Sequence, residues 1–206
     1  MYLITGIPRS GTSFLQRCFD LYGHSMSPKC YSDFVPRDPL TLAEPVAVAR
    51  GISNGCNRHE LIGIFDSIKS RAKGFSDGIP VMKTPQMVFR KPEIEYFDFV
   101  IVCLRSIDEG WLDSARFQNM PMWIYNMSNV AFLRPYANRI NRSNDKLREL
   151  GLIWRQCSQE VIKSLDNSKV FIFDFDNAKE SFGKLADRFS IGEEVFDSVW
   201  HRRRKK

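Results

Sequence analysis

The first 22 residues constrain the fold more than any other stretch of the chain. Tyr2-Leu3-Ile4-Thr5 reads as a short, mostly apolar strand, Gly6 to Ser10 as a loop of turn residues, and Thr12 to Tyr22 as a helix opened by Gly11. A strand, a glycine-flanked loop and a helix start in direct succession form an anion cradle. Backbone N–H groups point into the loop, the helix N-terminus carries partial positive charge, and glycine lets the main chain close on an oxyanion. Arg9 adds a cation on the loop itself, and its planar fork suits an oxyanion that must be oriented as well as neutralised.

The same alternation continues downstream. Gly23 to Pro45, punctuated by glycine, serine, aspartate and proline, reads as a long connection across the top of a sheet, carrying His24, Asp33, Asp38 and Glu44. Asn57-Arg58-His59-Glu60 followed by Leu61, Ile64, Phe65 and Ile68 has capping and helical spacing, which predicts an amphipathic helix from about Arg58 to Lys73 with His59 facing solvent in its first turn. Gly78 to Lys83 predicts a short strand, after which Pro85 forces a turn. Phe97 to Leu104, a nearly continuous apolar run, predicts a strand covered on both faces. Helices are expected from Ile107 to Gln118, across the aromatic and methionine-rich stretch Met120 to Leu133, and from Ser143 or Asn144 to about Leu165. A last strand, Lys169 to Phe173, and a helix, Ala178 to Phe189, follow. The pattern predicts a P-loop-type three-layer α/β/α fold with a central parallel sheet. It forms one domain over residues 1–206, with 200–206 as a basic flexible tail. In such a sheet ligands gather beyond the carboxyl ends of the strands, which would bring together Arg9 to Ser13, Lys83 and Arg105.

The spacing from Gly6 to Gly11-Thr12-Ser13 nearly matches the phosphate loop of nucleoside triphosphatases, but Thr12 stands where their lysine should be. That lysine reaches the terminal phosphates, so its absence weighs against an ATPase or kinase. Pro8-Arg9-Ser10-Gly11-Thr12-Ser13 instead resembles the sulfotransferase family's loop for the 5′-phosphosulfate end of 3′-phosphoadenosine 5′-phosphosulfate (PAPS). Phe99 to Arg105 with Ser114 resembles the family's 3′-phosphate motif, in which a strand-end arginine and a helix serine grip that phosphate. Asp113 holds the family's usual serine position, but a carboxylate would repel a phosphate, so the role goes to Ser114, one residue on. Val81-Met82-Lys83-Thr84-Pro85 resembles the family's Lys-Thr-Pro segment and implies that Lys83 stabilises charge on the bridging oxygen as the sulfuryl group departs. Ala43-Glu44-Pro45 resembles the acidic segment after the first loop. It implies Glu44 as general base, with Asp33 and His24 as alternatives.

The resemblance thus implies a PAPS-dependent sulfotransferase acting on a hydroxyl or amine of a small-molecule or carbohydrate acceptor. Pro8, Arg9, Ser10, Gly11, Thr12, Ser13, Arg105 and Ser114 would bind the donor, and Arg9, Lys83 and Glu44 would act in catalysis. No metal is expected, since positive side chains take the place of magnesium. Aromatic and methionine side chains around Met120 to Tyr136 would suit a sugar ring, a lipid or a phenol, although packing over the core explains them equally.

The formal charge of +6 fits an anionic partner, and a multiply charged nucleotide accounts for the part not held in His201-Arg-Arg-Arg-Lys-Lys206. That basic end is read as solvated, with no nucleic acid or membrane as partner. Five scattered cysteines, without paired metal-ligand spacing, predict reduced thiols in a cytoplasmic setting. With a strand beginning at residue 2 no leader or membrane anchor is expected before the fold, and no apolar run reaches spanning length. Two rivals remain: a kinase-like P-loop protein acting on a nucleotide or small molecule, and a non-catalytic nucleotide-binding module.

Overall fold

The computed structural model describes residues 1–21, 55–72, 81–117 and 144–202. Four strands pair in the order β2-β1-β3-β4, every neighbour parallel. They are β1 (Tyr2–Gly6), β2 (Val81–Lys83), β3 (Phe99–Leu104) and β4 (Val170–Asp174). The helices are α1 (Thr12–Leu21), α2 (Arg58–Ala72), the single-turn α3 (Lys91–Ile94), α4 (Glu109–Phe117), α5 (Asn144–Ser164), α6 (Ala178–Phe189) and α7 (Glu194–Arg202). The segments from Gly23 to Pro45, with His24, Asp33 and Glu44, and from Met120 to Leu133 lie outside the described residues.

The sheet is covered on both faces because each strand sends alternate side chains to opposite sides. Leu3, Met82, Val100 and Val102 pack with Leu61, Phe65, Trp111, Leu147 and Trp154 from α2, α4 and α5. Ile4, Val81, Ile101, Cys103 and Phe173 pack with Phe14, Phe19, Phe182 and Phe196 from α1, α6 and α7. These two separate cores make the three-layer α/β/α fold expected from the sequence. β3 is its centre and is buried from Phe99 through Cys103, as its unbroken apolar run requires. Among the described residues no helix is long and apolar enough to cross a membrane.

Local chemistry sets the helix boundaries. The Glu60 amide donates to Asn57 Oδ1 and the Asn57 amide to Glu60 Oε2, both at 2.9 Å, so a reciprocal capping box starts α2 where the sequence places it. α4 begins at Glu109, later than the expected Ile107. Asp108 Oδ1 accepts the Trp111 amide at 2.8 Å, which makes Asp108 the cap and holds Ile107 outside the helix.

Three elements were not expected from the sequence: the 3-10 turn Pro85–Phe89, α3 and α7. α7 runs through Arg202, so residues 200–202 of the basic tail are helical. Trp200 stacks on Phe196 with ring centroids 5.1 Å apart and meets Phe14 edge-on at 5.2 Å, which fixes it to the fold.

Candidate functional site

All four strands run the same way, so their carboxyl ends share one edge of the sheet. The register places Gly6 beside Cys103 and Leu104 beside Asp174. The chain leaving β1 therefore emerges next to Arg105, and the chain leaving β4 emerges on Arg105's other side. On the far side of β1, the Thr84 amide donates to the Ile4 carbonyl at 2.9 Å. Thr5 Oγ1 donates to the Thr84 carbonyl at 2.9 Å and contacts the Pro85 carbonyl at 3.2 Å. These bonds pin the turn that follows Lys83 against β1.

The loop from Ile7 to Gly11 is held by its carbonyls. Ser10 Oγ donates to the Ile7 carbonyl and lies 3.1 Å from that of Cys103. The Ser10 amide also returns to Ile7, at 3.3 Å. Trp111 Nε1 donates to the Pro8 carbonyl at 2.8 Å, and Arg105 Nη1 to the Arg9 carbonyl at 3.1 Å. Arg9 sits in the left-handed region, with φ at 68°, a conformation that costs a non-glycine residue energy and persists where surroundings over-determine it. The first bond of α1 runs from the Leu15 amide to the Gly11 carbonyl at 2.9 Å. The amides before it have no acceptor within the helix, and the first turn contains no acidic side chain. Gly11 is needed at this corner: a Cβ there would come within 2.8 Å of Phe175 Cδ2, at a φ of 89°.

Three cations converge on this loop. Lys83 Nζ donates to Ser13 Oγ at 3.2 Å, and Arg9 Nε makes a long contact of 3.4 Å to Ser114 Oγ. Arg105 lies with its guanidinium carbon 4.8 Å from the Phe175 ring centroid, a cation–π contact. The Phe175 amide donates to the Leu104 carbonyl at 2.9 Å, so the end of β4 delivers that ring to the arginine. None of the ion pairs among the described residues uses Arg9 or Arg105. Burial, and then the nearby Arg105 guanidinium, pull the Arg9 pKa below its ordinary value. Two half-buried guanidinium groups thus lie side by side with no carboxylate paired to either among the described residues, an arrangement that favours an anionic partner.

Of the residues singled out in the sequence, the structure thus brings together Arg9, Ser10, Gly11, Ser13, Lys83, Arg105 and Ser114, with Pro8 and the buried Thr12 in the same loop. Within this group Ser10 has its hydroxyl and amide turned onto protein carbonyls, so its side chain braces the loop. Ser114 lies against Arg9, on the same side of the loop that Arg105 reaches through the Arg9 carbonyl. Asp113 is exposed on α4 while Ser114 is half-buried against the loop, so the serine is the residue that α4 turns toward the cations. Sequence reasoning missed Trp111 and Phe175. The Phe175 signal was present, since it follows the fourth strand as Arg105 follows the third. Nothing in the sequence around Trp111 points to the Pro8 carbonyl.

The fold and its cation-bearing edge define the class to which this architecture belongs: a parallel α/β/α sandwich with a glycine-cornered loop between the first strand and the first helix. No protein-family model matches the chain, and no curated protein matches it. Among solved structures, the chain is similar to a sulfotransferase domain from the curacin biosynthetic pathway, with a TM-score of 0.53 and 11% sequence identity. The match covers 93% of this chain and 74% of that domain. The likeness is one of fold: the chain has a sulfotransferase-like fold.

Proposed function

We propose that the protein is a sulfotransferase that moves a sulfuryl group from PAPS to an acceptor hydroxyl or amine. The observation that carries this reading is the pairing of Arg9 and Arg105 beside the start of α1, with neither guanidinium in an ion pair among the described residues. The loop residues Arg9, Gly11, Thr12 and Ser13 would cradle the 5′-phosphosulfate, and Arg105 with Ser114 would hold the 3′-phosphate. In transfer the acceptor oxygen forms a bond to sulfur as the bond from sulfur to the bridging oxygen breaks. The electron pair of that bond passes to the departing nucleotide. Lys83, placed beside Ser13, would stabilise the charge that develops on that oxygen. Glu44 would take the acceptor's proton, with Asp33 and His24 as alternatives. The likeness in fold to a sulfotransferase domain supports the class of chemistry. The residues named here support the donor.

The test is a titration of the product nucleotide, 3′-phosphoadenosine 5′-phosphate, against ATP with magnesium. Tighter binding of the first is expected. A preference for magnesium–ATP sinks the reading in favour of a kinase-like protein, and binding of the product nucleotide with no turnover over a broad acceptor screen favours a non-catalytic binding module. A second measurement addresses Arg105. Replacing it with alanine is expected to weaken the product nucleotide by about ten- to a hundredfold, the value of a charge-assisted contact. Adenosine 5′-phosphate, which lacks the 3′-phosphate, should lose less, about fivefold or under, through the lost bond from Arg105 to the Arg9 carbonyl. Equal losses for the two nucleotides would remove Arg105 from the 3′-phosphate.

A further inference from the structure

Trp111 is fully enclosed, yet it reaches the loop. Its ring belongs to the core beneath α4, and its indole N–H crosses to the Pro8 carbonyl at 2.8 Å. The protein makes room for the ring in a specific way. A Cβ on Gly151 of α5 would lie 2.8 Å from Trp111 Cη2 and 3.0 Å from Cζ3, so a larger residue there would displace the indole. The backbone amide of Trp111 is fixed at the same time by Asp108. Its position is therefore set from two sides before the indole N–H meets the loop.

The consequence lies in the next peptide. In a trans peptide the carbonyl and the following N–H point in opposite directions. Anchoring the Pro8 carbonyl on the core side turns the Arg9 N–H away from the core. The Arg9 carbonyl is tied in turn to Arg105, which holds Arg9 in its left-handed conformation. We propose that Trp111 is a positioning residue for the anion site: by holding the Pro8 carbonyl it presents the Arg9 amide as a donor to the oxyanion in the loop. The proposal rests on the function above only for the identity of the nucleotide; its core is the binding of a tetrahedral oxyanion.

The experiment compares the wild-type protein with Trp111→Phe and with a variant carrying 3-benzothienylalanine at position 111, which keeps the size of the indole and lacks its N–H. The probes are inorganic sulfate, followed at the Arg9 amide resonance, and 3′-phosphoadenosine 5′-phosphate, followed by calorimetry. Adenosine 3′-phosphate, which lacks the 5′ group, serves as the control. In both variants sulfate and the bisphosphate should weaken by about tenfold, with the Arg9 response lost at sulfate levels that saturate the wild type. The control should change by about twofold or less. Unchanged sulfate and bisphosphate affinities in a variant that melts cooperatively overturn the proposal, as does a wild-type Arg9 amide that does not respond to sulfate. If Trp111→Phe fails to fold, the isosteric variant alone decides. A wild-type protein that binds sulfate at Arg9 but not the bisphosphate leaves Trp111 its role and removes the nucleotide reading.

Discussion

Lys83→Ala is expected to lower the proposed sulfuryl transfer by about 10²–10³-fold, the usual loss when one preorganised donor to a developing oxyanion is removed. Affinity for the product nucleotide should change by less than about tenfold, because an interaction made mainly in the transition state adds little to ground-state binding. The expectation follows from where the residue is held. β2 ends at Lys83, and the backbone beyond it is fastened to β1 through Thr84 and Thr5. The ammonium is thereby directed to Ser13, on the first turn of the helix that would face the reacting group. The measurement does not depend on knowing the acceptor. Release of sulfate from PAPS to water reports the same bond cleavage and can be followed alongside transfer to any acceptor found by screening. A loss of rate matched by an equal loss of nucleotide affinity would make Lys83 a binding residue. An unaltered rate would remove it from the chemistry.

Lys83→Arg separates charge from shape. A guanidinium keeps the positive charge but spreads it over a plane and reaches differently from a compact ammonium. Partial recovery, to within about tenfold of the wild-type rate, is expected if charge at the bridging oxygen is what matters. No recovery would indicate that the narrow contact with Ser13 sets the geometry.

The parts of the fold that could be read from the sequence are those fixed by short-range pattern. β3 shows itself because a strand buried on both faces needs an unbroken apolar run, and Phe99 to Cys103 supplies one. α2 shows itself through Asn57 and Glu60, whose side chains satisfy each other's amides. The meeting of Arg9, Lys83 and Arg105 follows from parallel topology alone, since strands of one direction deliver their ends to one edge. What escaped is whatever depends on which way a side chain turns. That the Ser10 hydroxyl braces the loop is one such detail, since the tight turn at Ile7 draws it onto carbonyls. α7 escaped because the basic residues from His201 onward dominate the end of the chain. The spacing of Val195, Phe196, Val199 and Trp200, which packs a helix onto α1, was there to be read. The general base is a different case, since Glu44, Asp33 and His24 all lie outside the described residues.

Gly6→Ala should be the most damaging alanine substitution among the glycines of the described residues. Gly6 is the last residue of β1 and pairs with Cys103 of the central strand. Its φ of 116° is a conformation that residues with a Cβ rarely adopt. A Cβ there would lie 2.2 Å from the Cys103 carbonyl oxygen and 2.6 Å from its nitrogen. Both are backbone atoms of the most buried strand, so neither can move aside without disturbing the pairing of β1 with β3. That pairing also orients the loop after β1, because the Ile7 amide donates to the same Cys103 carbonyl at 3.0 Å. The expected cost is about 4 kcal/mol or more, a large share of the roughly 5–15 kcal/mol that holds a typical domain folded. Urea denaturation followed by circular dichroism should show a much lower midpoint or no folded baseline. Gly183→Ala is the matched control. It adds the same methyl group to α6, where nothing beyond the neighbouring residues and the helix's own backbone lies within 4 Å of the new carbon, and should raise stability by about 0.5–1 kcal/mol. The opposite signs expected for the two variants separate a specific close approach at the mouth of the loop from a general intolerance of change. A Gly6→Ala protein with a wild-type midpoint would mean that the chain leaves β1 along a different path, and with it the arrangement of Arg9, Arg105 and Trp111 around the anion site would fall.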